Sequence, residues 1–308
     1  MVSIKTVAVI GGSGNLGHFI VQELVSAGFD VTGLTRASST NSTPKYPDGL
    51  NIVNVDYTSF DSLKSAFAGQ DAVVSVIGSL GIASQTVAVD AAVAAGVKRF
   101  IPSEFGINTR KVDRDSPIAK IIGGKIAVVD YLQEKASANP SFTWTGISTG
   151  IFFDWALRAG ALLTGINLKD KTATVVDSGN EKWQASLRSD IGKAVVGVLQ
   201  HPDETANKYI GTATFNVSIN DLIALVEELT GSKLTITKES SDDIQKAGEE
   251  KLSQGDFSAF INFLRVHNSK DGAGNALSDE ESANGVIGLP SGDLREVVTA
   301  WLKESGAL

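Results

Sequence analysis

Residues 6–17 read TVAVIGGSGNLG, and this stretch decides the fold. The apolar run Thr6–Ile10 predicts a strand that is covered on both faces of a sheet. Glycines at positions 11, 14 and 17 then give the spacing G-x-x-G-x-x-G, and helical apolar spacing begins at Leu16. A strand, a glycine-rich turn and a helix in this order are typical of a dinucleotide-binding unit.

We expect this turn to hold the pyrophosphate of a dinucleotide, because glycines let the backbone come close and a helix N-terminus favours negative charge. A glycine turn built for steric reasons alone is the competing interpretation. The cofactor contacts expected here are Gly11, Ser13, Gly14, Asn15, Leu16 and Gly17.

Strands and helices continue to alternate up to about residue 150. Further strands are expected at residues 30–35, 51–55, 71–77, 98–101 and 143–148, and a long helix at about 118–136. Such repeats with short links predict a Rossmann-type, doubly wound parallel sheet of the α/β class. We expect residues 1–150 to form the cofactor-binding Rossmann domain. Residues 151–308 would form mainly a smaller substrate-binding subdomain, with some segments at about 190–230 returning to the first domain.

The composition excludes several classes of function. The 308 residues include 27 Lys plus Arg against 35 Asp plus Glu, a net charge of −8, which disfavours nucleic acid as a partner. Cysteine is absent and the three histidines are far apart, so no metal site is expected. The lack of cysteine fits the reducing cytoplasm, where we expect the protein. No signal peptide is recognisable, and the uncharged stretch 72–89 holds too many polar residues and glycines for a membrane span.

The end of the second strand discriminates between the two nicotinamide cofactors. An acid there binds the ribose 2′-hydroxyl of NAD, whereas a cation binds the 2′-phosphate of NADP. Arg36 stands at this end and Lys45 follows in the loop, while Asp30 begins the strand and lies at the wrong end. Because a guanidinium matches phosphate geometry, the sequence favours NADPH, with an ordinary surface arginine as the plainer interpretation of Arg36.

A second motif, Arg99-Phe-Ile-Pro-Ser-Glu-Phe-Gly106, follows in the chain, and later come Gly179-Asn-Glu-Lys-Trp183 and Asp190-Ile-Gly192. With these motifs the chain resembles the isoflavone-reductase-like branch of the NmrA-like family, which are atypical short-chain dehydrogenase/reductases. The resemblance covers about residues 4–235, whereas residues 238–286 match poorly. It implies a reductase that uses NADPH to deliver hydride to aromatic, often phenolic, small molecules.

The resemblance places the catalytic lysine at Lys125. A lysine near the start of this helix would lie at the carboxyl ends of the strands, where ligands bind in open sheets. Beside an apolar wall its pKa would be lowered, so that it could take or return a substrate proton. The basic residues that follow the lysine in relatives are replaced here by Ile-Ala-Val-Val-Asp, so the substrate stays open. Further cofactor contacts that the resemblance implies are Ile77, Gly78, Gln85, Ser103, Glu104, Phe105 and Lys125 itself.

A second lysine is a decoy. Tyr131-Leu-Gln-Glu-Lys135 has the Y-x-x-x-K spacing of ordinary short-chain dehydrogenases. Lys135 is ten residues beyond Lys125, which amounts to about 15 Å along a helix. We therefore interpret Tyr131 as half-buried packing and Lys135 as a solvated cation at the helix C-terminus.

Several aromatic residues could cover the nicotinamide. Those predicted to bind substrate are Phe105, Phe152, Phe153, Trp155 and Phe260. Core packing is the alternative for each of them. A minor candidate for a substrate contact is His267.

The sequence thus predicts an NADPH-dependent reductase of an aromatic or conjugated small molecule. The rival hypothesis is an NmrA-like regulator that binds a dinucleotide and a protein partner without catalysis, and the presence of Lys125 favours the enzyme. An extended short-chain epimerase is a distant third, because the Tyr–Lys pair is misplaced. The reduced bond stays open between ketone, enone, imine, benzylic ether and quinone methide, and a homodimer is one candidate for the oligomeric state.

Overall fold

The structure, a computed structural model, describes residues 3–36, 46, 47 and 49–308. The strands in this part of the chain are β1 (Thr6–Ile10), β2 (Asp30–Arg36), β3 (Asn51–Val55), β4 (Ala72–Ser75), β5 (Arg99–Ile101), β6 (Thr143–Ser148), β7 (Ile151–Phe152), β8 (Ile166–Asn167), β9 (Thr172–Val176), β10 (Trp183–Ser186), β11 (Lys208–Gly211), β12 (Phe215–Val217) and β13 (Thr235–Glu239). The helices are α1 (Gly17–Ser26), α2 (Phe60–Phe67), α3 (Gln85–Ala94), α4 (Pro117–Ala138), α5 (Phe153–Ala159), α6 (Ala161–Thr164), α7 (Arg188–Gln200), α8 (Pro202–Thr205), α9 (Ile219–Thr230), α10 (Ser241–Ser253), α11 (Ala259–Ser269) and α12 (Leu294–Glu304).

The central sheet has seven strands in the order β11-β6-β5-β4-β1-β2-β3. Every neighbouring pair is parallel, with Val9 of β1 aligned with Gly33 of β2 and Val74 of β4. This confirms the predicted doubly wound α/β fold. Because all strands run the same way, the segments that follow β1, β4 and β5 meet at one edge of the sheet.

Side chains alternate between two apolar cores on either side of the sheet, as the two-residue period of a strand requires. Val7 and Val9 face the core covered by α1 and α7, whereas Ala8 and Ile10 face the core covered by α2, α3 and α4. Burial on both faces explains why β1 reads as an unbroken apolar run.

Helix α4 is started by local chemistry. The Ser116 side chain accepts a hydrogen bond from the Ala119 amide, and Pro117 occupies the first helical position, where its missing N–H costs nothing. The helix covers the predicted residues and carries position 125 in its third turn, near the carboxyl edge of the sheet.

Helix α3 does not follow β4 directly. A 3₁₀ turn at Ser79–Ser84 precedes α3, and β4 ends at Ser75 rather than at Ile77. A Cβ at Gly81 would lie 2.2 Å from the Cγ2 of Ile77, so a glycine fits this turn best.

The second half of the chain builds two small sheets, β12-β10-β7 and β13-β9-β8, around a third core. Within residues 190–230, β11 joins the large sheet and α7 packs in the core on one face of that sheet. In contrast, β12 and α9 pack in the third core. A fourth core joins α4 to α11 through Ile122, Ile126 and Phe263. Within the described residues, no helix is both long enough and apolar enough to cross a bilayer.

Candidate active site

The glycine turn is shaped by close backbone contacts. Gly11 has a φ of +76°, and a Cβ there would lie 2.5 Å from the Val76 carbonyl oxygen. At Gly17, where α1 begins, a Cβ would lie 2.2 Å from the Gly11 oxygen. Only glycine therefore allows α1 to start this close to the end of β1. Ser13, Gly14 and Asn15 form the exposed tip of the turn.

Two glycines near this tip have free space around them as far as the described residues are concerned. Among these residues, a Cβ at Gly14 would meet only the Gly11 oxygen, at 3.2 Å, and a Cβ at Gly78 would meet nothing within 4 Å. The exposed tip and the open space at Gly78 leave room for a pyrophosphate at the N-terminus of α1. The residues present thus fit a dinucleotide. The predicted cofactor contact of Leu16 needs a partial correction, because its side chain is buried in the core and only its backbone faces the turn.

Arg36 ends β2 and is exposed, in register with Val55 of β3. It lies near Tyr57, whose hydroxyl donates to the Leu34 carbonyl oxygen at 2.7 Å. Burial raises the pKa of Tyr57 to about 12, against the opposing effects of Gly11 and Arg36. Arg36 therefore places an exposed cation near the glycine turn, as a 2′-phosphate site requires. Lys45, the second predicted cation, lies outside the described residues.

Ser103 links the ends of β4 and β5. Its hydroxyl donates to the Ile77 carbonyl oxygen at 2.7 Å, and its amide donates to the Gln85 Oε1 at 2.9 Å. The predicted cofactor contact of the Gln85 side chain needs correction, since that side chain is fully buried and holds Ser103 instead. The two strand ends are thereby fixed at the edge where Gly78 leaves open space.

The Glu104 side chain also turns away from the open edge. Its carboxylate is buried, with Oε2 accepting hydrogen bonds from the Thr109 hydroxyl and, at 2.8 Å, from the Tyr209 hydroxyl. Burial, and then the Glu104 charge, raise the pKa of Tyr209. The prediction of a cofactor contact is therefore wrong for this side chain, because the enclosing Thr109 and Tyr209 keep it in the interior.

Lys125 is half-buried on α4 and points to the loop after β5. Its Nζ donates to the Glu104 carbonyl oxygen at 3.4 Å, a long hydrogen bond. Burial lowers the pKa of the Lys125 ammonium, while the Glu104 charge opposes that shift. An ammonium has three donors, so most of its capacity is left for a ligand.

Lys125 lies in the wall of a cavity of about 820 Å³. The remaining lining residues are neutral and mostly apolar: Ile82, Phe105, Gly106, Ile107, Thr109, Ile121, Ile122, Gly124, Gly150, Ile151, Phe152, Trp155, Leu163, Phe257, Phe260 and Leu264. The volume is within the range of small-molecule sites. Trp155 and Phe257 are 42% and 67% exposed, respectively, which places both at the mouth of the cavity.

The structure brings together four of the five predicted substrate residues and rejects the fifth. Phe105, Phe152, Trp155 and Phe260 line the cavity. The prediction that Phe153 binds substrate is wrong, because this residue is 0% exposed and packs against Trp183 and Phe215 in the third core. Neighbouring residues of one helix face different ways, and α5 directs Phe153 inward.

The aliphatic part of the wall was missed by sequence reasoning. Ile82 comes from the 3₁₀ turn, Ile121 and Ile122 from α4, and Leu264 from α11. Helical spacing marks such residues as buried but does not distinguish a core from a cavity wall. Phe260 and Leu264 are four residues apart on α11 and therefore lie on the same face of that helix. This spacing is the signal that could have extended the predicted wall.

The decoy pair lies elsewhere. Tyr131 donates to Asp90 Oδ1 at 2.7 Å, and the Lys135 Nζ lies 2.6 Å from the same oxygen and 4.8 Å from the centre of the Tyr131 ring. Both residues thus join α4 to α3. Tyr131 is half-buried as expected, and neither residue lines the cavity. In the part of the chain that the structure describes, no cluster of three His, Asp or Glu residues could hold a metal.

Comparison with known proteins gives the family. The NmrA-like family model matches residues 3–255, so the chain belongs to the NmrA-like family. Oxidoreductase poxI of Penicillium oxalicum is 38% identical over 244 residues, covering 79% of this chain and 76% of that protein. Oxidoreductase aprR of Aspergillus flavus is 34% identical over 300 residues, covering 96% and 98%, respectively.

The branch of the family is also confirmed. An isoflavone reductase homologue of Zea mays is 31% identical over 236 residues, covering 73% of this chain and 74% of its own. Among solved structures, the leucoanthocyanidin reductase–NADPH complex from Vitis vinifera superposes with a TM-score of 0.80 at 21% identity, covering 97% of this chain and 99% of that one. At this identity the likeness establishes the fold.

Proposed function

We propose that this protein is an NADPH-dependent reductase that delivers hydride to an aromatic or conjugated small molecule. One observation carries the proposal. Lys125 is the only charged residue among those that line the apolar, aromatic cavity in the described part of the chain. Two relatives of this protein are named oxidoreductases, which supports the same class of activity here.

The glycine turn and Arg36 would hold the cofactor. The glycine turn offers the helix N-terminus to the pyrophosphate, and Arg36 offers a guanidinium to the 2′-phosphate. NADPH, when bound, supplies the hydride. The exposed position of Arg36 at the end of β2 and the absence of an acid at that strand end, among the described residues, favour NADP over NAD.

Lys125 would act on the substrate as a proton donor or a source of positive charge. Hydride delivery to a carbonyl, enone or quinone methide places negative charge on an oxygen. A desolvated ammonium beside that oxygen stabilises the developing charge more strongly than one in water. The lowered pKa also brings proton transfer closer to neutral pH.

The wall defines the class of substrate. Aromatic rings and aliphatic side chains recognise a planar apolar body, and Lys125 supplies the polar contact. Because the described lining has one cation and no anion, a substrate with several charges would lose hydration without compensation. An aromatic molecule with one reducible polar group therefore fits best.

The test is NADPH oxidation by the purified protein with a panel of aromatic ketones, enones and quinone methides. We expect at least one compound to be reduced, with no turnover of aliphatic sugars. Tight NADPH binding without oxidation of any panel member would contradict the proposal and favour a non-catalytic regulator. A location in the cytoplasm and a homodimeric state stay predictions.

A further inference from the structure

Arg188, the first residue of α7, lies between the glycine turn and α5. Its Nε donates to Asp154 Oδ2 at 2.9 Å, its Nη2 lies 2.8 Å from the same oxygen, and its amide donates to Asp154 Oδ1 at 3.2 Å. On the opposite side, Nη1 donates to the Asn15 carbonyl oxygen at 3.3 Å and to Asn15 Oδ1. One guanidinium thus holds residues from two distant segments.

The surroundings fix this guanidinium. The Arg188 side chain is only 10% exposed, that of Asp154 is 19% exposed, and the guanidinium lies 4.7 Å from the centre of the Phe19 ring. Phe19 belongs to α1, directly behind the glycine turn. A guanidinium that lies over the Phe19 ring and is paired with Asp154 along one edge has little freedom to move. Its other edge therefore fixes the position of Asn15.

The two ends of the bridge belong to different halves of the site. Asn15 is in the exposed tip of the glycine turn. Asp154 is in the first turn of α5, between Phe152 and Trp155, which both line the cavity. Asp154 itself faces a separate groove that also contains Arg188 and Phe19. One face of the segment 152–155 therefore lines the substrate cavity. Its opposite face contacts Arg188, which supports the glycine turn.

We propose that Arg188 is a positioning residue that holds Asn15 in its cofactor-binding conformation and couples the glycine turn to α5. The inference rests on the proposed NADP(H) site. Arg188 acts through Asn15, because its fork is occupied by Asp154 and Asn15. Ordering of the turn by a cofactor is then transmitted through Asn15, Arg188 and Asp154 to the segment that carries Phe152 and Trp155, even when no substrate is bound.

Calorimetric titration with NADP⁺ tests the positioning role without any substrate. Arg188→Met should weaken NADP⁺ binding at least about tenfold, the scale of a charge-assisted hydrogen bond that orders a binding loop. Asn15→Ala should weaken it to a similar extent, and the double variant should be no weaker than either single variant. Asp154→Asn should give a smaller loss in the same direction.

A matched control is available on α5. Arg158 also lies near Asp154, at 3.7 Å, but it is half exposed and pairs with Glu304 at 2.8 Å. Arg158→Met should therefore leave NADP⁺ affinity within about twofold of the wild type. If Arg188→Met does not fold, the pair Asn15→Ala and Asp154→Asn provides the same double-variant cycle.

Hydrogen exchange tests the coupling. Saturating NADP⁺ should slow amide exchange in residues 153–159 of the wild type as well as in the glycine turn. In Arg188→Met, at concentrations that still saturate the site, protection should persist at the turn and be lost on α5. A purely structural role would lower the melting temperature but leave this pattern unchanged.

The outcomes separate the two proposals. If the wild type binds NADP⁺ but Arg188→Met binds it equally well, or if the losses of Arg188→Met and Asn15→Ala add, the positioning role is overturned while the proposed function stands. If protection on α5 is equal in the wild type and Arg188→Met, the coupling is overturned. If the wild type binds no NADP⁺, both the proposed function and this inference fail.

Discussion

Arg99 and Lys125, two cations at opposite edges of the central sheet, have different surroundings. Arg99 begins β5 at the amino edge, and Lys125 faces the loop that follows β5 at the carboxyl edge. Burial lowers the pKa of both, that of Arg99 to about 10. They differ in how completely each is hydrogen-bonded.

All three side-chain nitrogens of Arg99 donate hydrogen bonds within the fold. Its guanidinium donates to the hydroxyls of Thr143, Thr145 and Thr205 at 2.8–2.9 Å and to the Pro202 carbonyl oxygen at 2.5 Å. Each hydroxyl can accept because it donates its own proton elsewhere, for example from Thr145 to the Thr205 carbonyl oxygen. Such a residue holds β5, β6 and α8 together, and its burial keeps it away from any ligand.

Among the described residues, Lys125 makes one long hydrogen bond, and an apolar cavity lies in front of it. A folded protein gains little stability from such an ammonium, since its desolvation is barely compensated. The comparison teaches that burial and a lowered pKa alone do not mark a catalytic group. Unused donors that face a cavity do.

The largest expected effect is on turnover by Lys125→Met, which keeps the aliphatic stem and removes the ammonium. Turnover of any substrate found for the wild type should fall about 10²–10⁴-fold, the usual contribution of a placed acid or base. NADPH affinity should change only modestly, because other residues hold the phosphates. Steady-state and binding measurements on the same preparation check both.

Lys135→Met is the control for that variant. Because Lys135 is paired with Asp90 outside the cavity, its loss should leave turnover within a few-fold. An inactive Lys135→Met would instead show that the Y-x-x-x-K pair performs the chemistry.

Arg99→Met should show the opposite behaviour, a loss of stability without a loss of chemistry. Removing the guanidinium leaves the Pro202 carbonyl oxygen and three hydroxyl lone pairs unpaired, which should lower the free energy of unfolding by about 2–3 kcal/mol. Urea unfolding measures this, and turnover per folded molecule should stay near that of the wild type. An equally stable Arg99→Met would remove the distinction between the two cations.

Arg36→Glu tests the exposed cation at the carboxyl edge. Loss of a charge-assisted phosphate contact of about 1.5–3 kcal/mol should weaken NADPH binding at least about tenfold and abolish the preference for NADPH. NADH binding should be weak but measurable. Unchanged titration curves for both cofactors would refute the assignment of Arg36.

The smallest effect is on the stability of Lys125→Met. Because burial lowers the native pKa, the wild type binds fewer protons when folded than when unfolded, and its stability rises as pH increases through that native pKa. Removing the ammonium should therefore slightly stabilise the protein at neutral pH, and the gain should shrink at alkaline pH. Melting curves across pH measure it, and a destabilised variant at neutral pH would indicate that Lys125 has a structural role.

The sequence predicted the glycine turn because its chemistry is local: strand, glycines and helix are adjacent, and Gly11 and Gly17 are required by contacts within that unit. Arg36 was placed by the same logic, from the end of a strand. The Lys125 position followed from the family resemblance.

The cavity wall could not be predicted in the same way. Phe105 and Phe260 are far apart in the chain and meet only because α11 packs on α4. Phe152 and Phe153 are adjacent yet face a cavity and a core, respectively, because the chain passes from β7 into α5 between them. Glu104 was predicted to face the cofactor, but its orientation depends on Tyr209 of β11, a strand that sequence spacing does not place beside it.

The most direct test of the account is a crystal structure with NADP⁺ and an aromatic compound that the enzyme reduces. We expect the compound in the cavity between Phe152 and Phe260, with the oxygen of its reducible group within hydrogen-bond distance of Lys125 Nζ. A ligand bound outside this cavity, or one whose reducible group lies nearer Tyr131 and Lys135 than Lys125, would contradict the account.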